Sequence, residues 1–493
     1  MSPTWYERLT LLDHSFLAFE GSTTPMHIAA LAVFDAATLR NATGGIDVDR
    51  IRRHVESRLQ HIPRYRQRLA QVPIENRSVW VDDNHFELAY HIRQASVPRP
   101  GSDDQLREVA ARLLERPLNR SRPLWEIWVI EGVERNRVAL LFKVHHCMVD
   151  GVAGVEILAA LLSPSPQPHI PDAEPWRPRP TPTTFELLSD EVGRRLQMSR
   201  ELVLGVGESV RRLRRNPADL TQKLGAAWQL IRDSTRPLAA TPINQRVGLY
   251  RRFHWVTHDL TAIKAIRAQV GGTVNEIVLA IVSGAVRAFL QHRRTRVDTL
   301  DFRVAVPVNV RDPQSTGSGN RVSAWLFPLS IHERDPLRRL QAVRNCSGEF
   351  KDAKHALGGE VLTQAAEWTS ANVLTFAALV TNQSLPVNMI VTNVPGPPIP
   401  LYLIDARMLA VYPHVPLFEH QCLGVALLSY AGKLHWGFNA DFDVVPDLED
   451  FAAAIDRSFR QLRRAALGTR DTTRTASRNR ERRTLRAVAR SVR

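Results

Sequence analysis

The chain has 493 residues, 44% of them hydrophobic and 23% charged, and a formal net charge of +15. These are ordinary globular proportions, which exclude a collagen, a coiled coil and a wholly disordered chain. At roughly 100–200 residues per domain the length predicts about two to four domains with a large core. Three cysteines, Cys147, Cys346 and Cys422, cannot build a disulfide framework and lack the spacing of a structural zinc site. Such a sparse, odd set fits a reducing cytosol.

The start, MSPTWYERLTLLDHSFLAFEG, is too polar for a secretory h-region, so no signal peptide is expected. Residues 1–162 read as a first α/β half. A helix is predicted over Ile51–Leu69 and another over Asp104–Glu115, where Leu106, Val109 and Leu113 share a face. Trp125–Glu131, a turn at Gly132–Arg137 and the apolar run Val138–Val144 read as an antiparallel hairpin feeding a buried strand. That strand ends at His145-His146, and a helix is predicted to start near Asp150-Gly151. Residues 163–246 read as a connector. Its first part, 163–182, holds eight prolines and should be extended and semi-rigid. Its second part, with arginines between 194 and 215, reads as a basic amphipathic helix. Two readings stand for it, a surface helix over the core and a contact with anionic lipid.

A second α/β half is predicted over 247–467. It comprises a helix at Thr273–Leu290, a strand at Phe302–Val308, a Gly/Ser loop at Thr316–Asn320 and a strand at Val322–Leu329. Helices follow over most of 335–380, then a strand at Met389–Thr392 and the stiff loop Asn393–Pro400. The hairpin Leu423–Tyr430/Leu434–Ala440 and a last helix at Leu448–Leu467 close it. The longest apolar runs, Val152–Leu162 and Ile277–Val286, fall short of about 18 residues, so no membrane span is expected. Residues 468–493 hold nine arginines against Asp471 and Glu481 and read as a basic disordered tail, solvated or touching anionic lipid. No motif or aromatic interleaving points to nucleic acid.

The strongest local signal is Lys143-Val-His145-His146-Cys-Met-Val-Asp150-Gly151. A buried strand delivers histidines to a strand-to-helix corner, where side chains can face a cleft. Imidazole suits general-base work because its ordinary pKa, about 6.5, lies near working pH. Asp150 can hold the backbone or pair with an arginine, and Gly151 permits a φ that other residues resist. Three other readings stand beside this one. The histidines could be structural. His145, His146 and Asp150 could hold a metal, against which adjacent strand residues point to opposite faces. Cys147 could be a nucleophile served by His146, which meets the same objection.

His145-His146-x-x-x-Asp150-Gly151 resembles the HHxxxDG motif of the CoA-dependent acyltransferase superfamily. The flanking text resembles the bacterial wax ester synthase/acyl-CoA:diacylglycerol acyltransferase family within it. Pro123-Leu124-Trp125 resembles its PLW. Leu12–Phe16 and Pro25-Met26-His27 resemble its start, and Val274–Ala280 resembles its NDVVLA helix. Val306–Arg311 resembles its PVxxR strand, and Asn393-Val394-Pro395-Gly396-Pro397 its NVPGP loop. The ordered set covers nearly the whole folded chain. One departure is Glu276 where the family has Asp, mild if that acid only caps a helix.

The resemblance implies an α/β (α+β) fold of two chloramphenicol-acetyltransferase-like halves with the active site in a tunnel between them. It implies an enzyme that moves a long-chain acyl group from acyl-CoA, a co-substrate and not a cofactor, to diacylglycerol or a long-chain alcohol. His146 would be the base and His145 structural. Asp150 would form an ion pair, with Arg311 the candidate partner. Asn275 is a candidate oxyanion donor or helix N-cap. Pro123, Leu124 and Trp125, with Asn393, Pro395 and Gly396, either shape the substrate channel or serve packing. No metal is implied. The setting implied is cytoplasmic, at a membrane or lipid-droplet surface. Two alternatives share the motif. One is a condensation-type enzyme using a carrier-protein thioester, and the other is a non-catalytic lipid-binding relative.

Overall fold

The computed structural model describes residues 6–72, 78–148, 156–192, 238–309, 322–356 and 387–468. The first stretch runs β1 (Glu7–Arg8), α1 (Leu11–Phe19), β2 (His27–Asp35), α2 (Val48–Leu59), β3 (Gln67–Gln71), β4 (Ser78–Asp82), α3 (Leu88–His91), β5 (Ile92–Ser96), α4 (Asp103–Leu114), β6 (Trp125–Val133), β7 (Arg137–His145) and α5 (Glu156–Leu161). A helix over 184–192, α6, follows the Pro-rich segment. The second stretch runs β8 (Arg251–Asp259), α7 (Leu260–Val270), α8 (Val274–His292), β9 (Arg303–Asn309), β10 (Val322–Pro328), α9 (Pro336–Ala356), β11 (Met389–Val394), β12 (Tyr402–Leu403), β13 (Ala406–His414), β14 (Leu423–Tyr430) and β15 (Lys433–Asp441). A helix over 448–468, α10, closes it.

Two six-stranded sheets result, ordered β12-β13-β2-β7-β6-β5 and β10-β9-β11-β14-β15-β8, beside a small sheet β1-β4-β3. The second stretch does not keep to itself. Its strands β12 and β13 leave β11 and β14 and complete the first sheet, β13 pairing antiparallel with β2. The expected boundary at 247 therefore divides the sequence more cleanly than the fold.

Strand β7 shows why the core forms. Val138, Leu140, Phe142 and Val144 face one apolar cluster with Ile51 and Val55 of α2 and Leu158 of α5. Ala139 and Leu141 face another with Leu106, Ala110 and Leu114 of α4 and Phe253 and Trp255 of β8. The period of two spends every residue on one cover or the other. Helix α4 is thus packed between the first sheet and β8. Its start is fixed by a capping box, in which Ser102 accepts the Gln105 N–H and Gln105 reaches back.

Most predicted elements appear with shifted ends. The helix expected over Ile51–Leu69 stops at Leu59. Pro63 then opens a single 3₁₀ turn, and the chain continues as β3. The Pro-rich segment is extended and pinned at both ends. Ser163 and Tyr402 exchange backbone hydrogen bonds of 2.9 and 2.8 Å, and Arg179 makes a forked pair with Asp82 at 2.9 and 2.8 Å. The basic helix expected around 194–215, the loop at Thr316–Asn320 and the Arg-rich tail lie outside the described residues. Helix α8 ends at His292, two residues past the expected Leu290. It is long and apolar enough to cross a bilayer, yet 78% of its apolar window is buried inside this fold. It lies in the core of the second half with Ile455 and Phe459 of α10.

The two sheets approach closely at one glycine. A Cβ on Gly437 of β15 would sit 1.7 Å from the Pro413 carbonyl oxygen of β13. Gly437→Ala should therefore cost about 3 kcal/mol in thermal or urea denaturation, the upper range for overpacking. Gly348, in α9, has open space around its Cβ position. Gly348→Ala should be neutral or stabilising by up to about 1 kcal/mol.

Candidate active site

Two consecutive peptides at the end of β7 are held from opposite sides. The His145 N–H donates to the Leu124 carbonyl at 2.9 Å, and the His146 N–H donates to the Met26 carbonyl at 2.8 Å. Leu124 leads into β6 and Met26 into β2, the two neighbours of β7 in the sheet. A 3₁₀ turn, His146–Met148, then takes the chain off the strand.

The two rings separate there. His145 is fully buried. Its Nδ1 accepts the Cys147 N–H at 3.1 Å, so a neutral ring carries its proton on Nε2. That atom faces Glu20 Oε1 at 3.5 Å. Glu20 also accepts the Met26 N–H at 3.1 Å and the Arg120 Nε–H at 2.9 Å. Burial alone would raise its pKa, but the contacts with His145, Arg120 and Met26 outweigh this and hold it at about 2.

His146 is half-buried and stacks on Phe16 of α1, with ring centroids 3.8 Å apart and planes 16° from parallel. Its Nδ1 has no hydrogen-bond partner among the described residues. Burial, with a smaller push from His145, lowers its pKa to about 4. The ring is therefore neutral at ordinary pH and able to accept a proton. Phe16 also packs on an apolar cluster in which Met26 meets Ala305, Ile390, Val415, Phe418 and Ala426 of the second stretch. His146 thus borders the apolar seam between the sheets.

More histidines collect at this end of the first sheet. His27 of β2 pairs in register with His145 and stacks on His414 of β13 at 5.7 Å. Burial is the main force lowering both pKa values, His27 well below its ordinary 6.5 and His414 to about 3. On the same face as His145, Lys143 donates to the carbonyls of Leu113 and Arg116 at the end of α4. Burial lowers its pKa to about 8, against the pull of Glu126 at 3.9 Å.

The expected site residues divide. Pro123, Leu124 and Trp125 are buried. Leu124 holds His145, while Trp125 donates Nε1–H to the Tyr65 carbonyl at 2.7 Å and stacks on His91 at 4.5 Å. Asn275 is not the cap of α8. Thr273 is, in a capping box with Glu276. The Thr273 N–H donates to Glu276 at 2.9 Å, so the departure from the family's Asp falls on a residue that caps a helix. No described hydrogen bond ties Asn275 to His146. Asn393 lies on β11, in register with Leu427. Pro395 is exposed, and Gly396 lies where a Cβ would meet the Ser429 carbonyl oxygen at 2.2 Å. This loop carries the chain from the second sheet into β12. Asp150, Gly151 and Arg311 lie outside the described residues. No motif marks Glu20 for a role, while Phe16 and Met26 fall within the family-like start, where the first helix carries a signal, Thr10 capping Asp13.

The thiol reading loses support, because burial pushes the Cys147 pKa well above its ordinary value. The metal reading loses the His145 Nδ1 atom, already occupied by the Cys147 N–H.

The architecture and the paired histidines at the strand end define a two-sheet acyltransferase fold. Comparison supplies the family. Residues 9–278 match the wax ester synthase/diacylglycerol acyltransferase catalytic domain, and 318–463 match the WS/DGAT C-terminal domain. The chain belongs to this family and is an acyl-CoA-dependent O-acyltransferase. A Mycobacterium tuberculosis (strain ATCC 25618 / H37Rv) protein named "Probable diacyglycerol O-acyltransferase tgs1" is 31% identical over 92% of this chain and 95% of its own. The O-acyltransferase WSD of Acinetobacter baylyi is 28% identical over 90% and 94%. Among solved structures, the wax ester synthase/diacylglycerol acyltransferase from Marinobacter aquaeolei VT8 superposes with a TM-score of 0.68 at 23% identity, over 93% of this chain and 99% of that one. The first condensation domain of the calcium-dependent antibiotic synthetase superposes at 0.56 and 13%, over 94% and 97%.

Two pH effects are expected. Below 6.5 the unfolded chain protonates His27, His146 and His414 while the folded chain resists, so stability should fall with pH between about 6.5 and 4. Thermal midpoints from pH 7 to 5 check this. Over the same range kcat/KM should stay flat, because His146 is already neutral. An acid limb centred at 6.5 would contradict the burial of its ring.

Proposed function

We propose that the chain transfers a long-chain acyl group from acyl-CoA to the hydroxyl of diacylglycerol, a long-chain alcohol or both, with His146 as general base. The observation that carries this is the neutral, half-buried His146 ring, stacked on Phe16 beside the apolar seam of the two sheets. The imidazole takes the hydroxyl proton as the alcohol oxygen attacks the thioester carbonyl carbon. A tetrahedral oxyanion forms and collapses, the C–S bond breaks, and the imidazolium returns the proton to the CoA sulfur. No enzyme-bound acyl intermediate is required. The name of the mycobacterial relative supports diacylglycerol, and the wax ester synthase in the description of the matched catalytic domain supports the long-chain alcohol. The seam supplies apolar surface for acyl chains, and we place the substrate tunnel along it. Asp150 paired with Arg311 would shape the loop after His146, and a charge swap that restores folding tests that pair.

Radiolabelled acyl-CoA offered with diacylglycerol or long-chain alcohol tests the reading. Product should form with acyl-CoA alone as donor, and His146→Ala should lose about 10³-fold in kcat. Activity surviving that substitution overturns the mechanism. A requirement for a carrier-protein thioester would favour the condensation-type alternative, which shares the fold.

We also place the enzyme in the cytoplasm, bound peripherally to a membrane or droplet where its amphiphilic acceptors reside. The nine arginines of 468–493 support attachment to anionic lipid, and the free cysteines fit a reducing compartment. Removing 468–493 should weaken sedimentation with anionic vesicles while leaving turnover of a dispersed alcohol intact. Unchanged sedimentation would count against the tail's role.

A further inference from the structure

The base is only as well aimed as the two peptides that carry it, and one side chain meets both the His145 ring and the Met26 backbone. Glu20 follows α1 in sequence and is part of neither strand. Its Oε1 lies 3.5 Å from His145 Nε2 and accepts the Met26 N–H at 3.1 Å. Met26 turns that contact toward the base, because its carbonyl accepts the His146 N–H at 2.8 Å. The second oxygen, Oε2, is fixed by Arg120, whose Nε lies at 2.9 Å and whose other nitrogen also donates to the Leu17 carbonyl at 2.8 Å. The carboxylate is therefore anchored through Oε2 and meets the His145 ring and the Met26 N–H through Oε1. The single oxygen Oε1 serves both contacts, so an uncharged side chain of the same length can keep them. The His145 end is also fixed by tautomer, since the Cys147 N–H on Nδ1 puts the ring proton on the Glu20 side.

We infer that Glu20 is a positioning residue of the acyl transfer: it lies against the His145 ring and fixes the Met26 backbone that holds His146, and so sets the aim of the His146 ring. The inference rests on His146 being the base. Glu20 does not touch the reacting atoms, so its loss should act on turnover more than on substrate binding. Acceptor geometry is what the role needs. Gln keeps an acceptor oxygen at the same reach, Asp retreats by one methylene, and Ala removes the clamp.

The test is steady-state kinetics of the full chain with palmitoyl-CoA and hexadecanol for Glu20→Gln, Glu20→Asp and Glu20→Ala. Far-UV and near-UV circular dichroism check the fold of each. The expected order in kcat is Gln within about fivefold of wild type, Asp lowered by at least about tenfold and Ala by about 100-fold, with KM for palmitoyl-CoA within about threefold throughout. Nitrogen-15 spectra of labelled imidazole should show the Nε2–H tautomer of His145 in wild type and Glu20→Gln. Folded Glu20→Ala with kcat within threefold of wild type overturns the inference. So does Asp matching wild type while Gln is inactive, which would make the charge and not the reach decisive. If Ala fails to fold, the Gln and Asp order alone decides. His146→Ala run alongside separates the two failures. An active His146→Ala sinks the base itself, whereas an inactive one beside an active Glu20→Ala sinks only the clamp.

Discussion

The structure depends on the pair of hydrogen bonds that seize consecutive peptides at the end of β7. Leu124 takes the N–H of His145 and Met26 takes the N–H of His146. A strand cannot present two successive residues to one side, because its side chains alternate. The fold resolves this by ending the strand between them. His145 stays in the sheet's pattern and points inward to Glu20. His146 belongs to the turn and lies on Phe16. One histidine becomes scaffold and the other keeps a ring nitrogen with no partner among the described residues. Both backbone anchors come from neighbouring strands of the same sheet, so the rigidity of that sheet is passed to the base.

The rest of the architecture serves the seam beside that ring. Strands β12 and β13 cross from the second stretch into the first sheet, and β13 brings His414 and Val415 to the site end. Gly437 lets β15 pass against Pro413, which closes the two sheets together. Arg251 of β8 reaches across to the Thr23 carbonyl, in the loop that leads to Met26. The Pro-rich segment binds Tyr402 and Asp82 along its course, so it straps the first half and does not hang free. The stability cost of these buried groups is accepted where the chemistry is. Several histidines are kept neutral there, and desolvation is the largest cause of each shift.

Much of this was legible in the sequence where the signal is local. The apolar run Val138–Val144, ending at two histidines, marked both the strand and its end. The hairpin at Leu423–Ala440 and the last helix were legible from period and turn residues. Pro63 is a visible stop for α2, although apolar periodicity runs on through it. Thr273 and Asn275 are both good caps, and only the Thr-x-x-Glu spacing to Glu276 tells them apart. The crossing of β13 was not legible, because nothing in a strand's own residues names its sheet. Glu20 was hidden for a similar reason. Its partners Arg120 and His145 are distant in the chain, and a lone Glu after a helix has no pattern.

The central claim is that His146 reaches the seam as a neutral imidazole ready to take a proton. Nitrogen-15 titration of that single ring, with a non-reactive acyl-CoA thioether bound, measures this directly. The account predicts a neutral ring at pH 7 whose protonation midpoint lies near 4 in the free enzyme. A ring already protonated at pH 7, with and without the thioether, would contradict it.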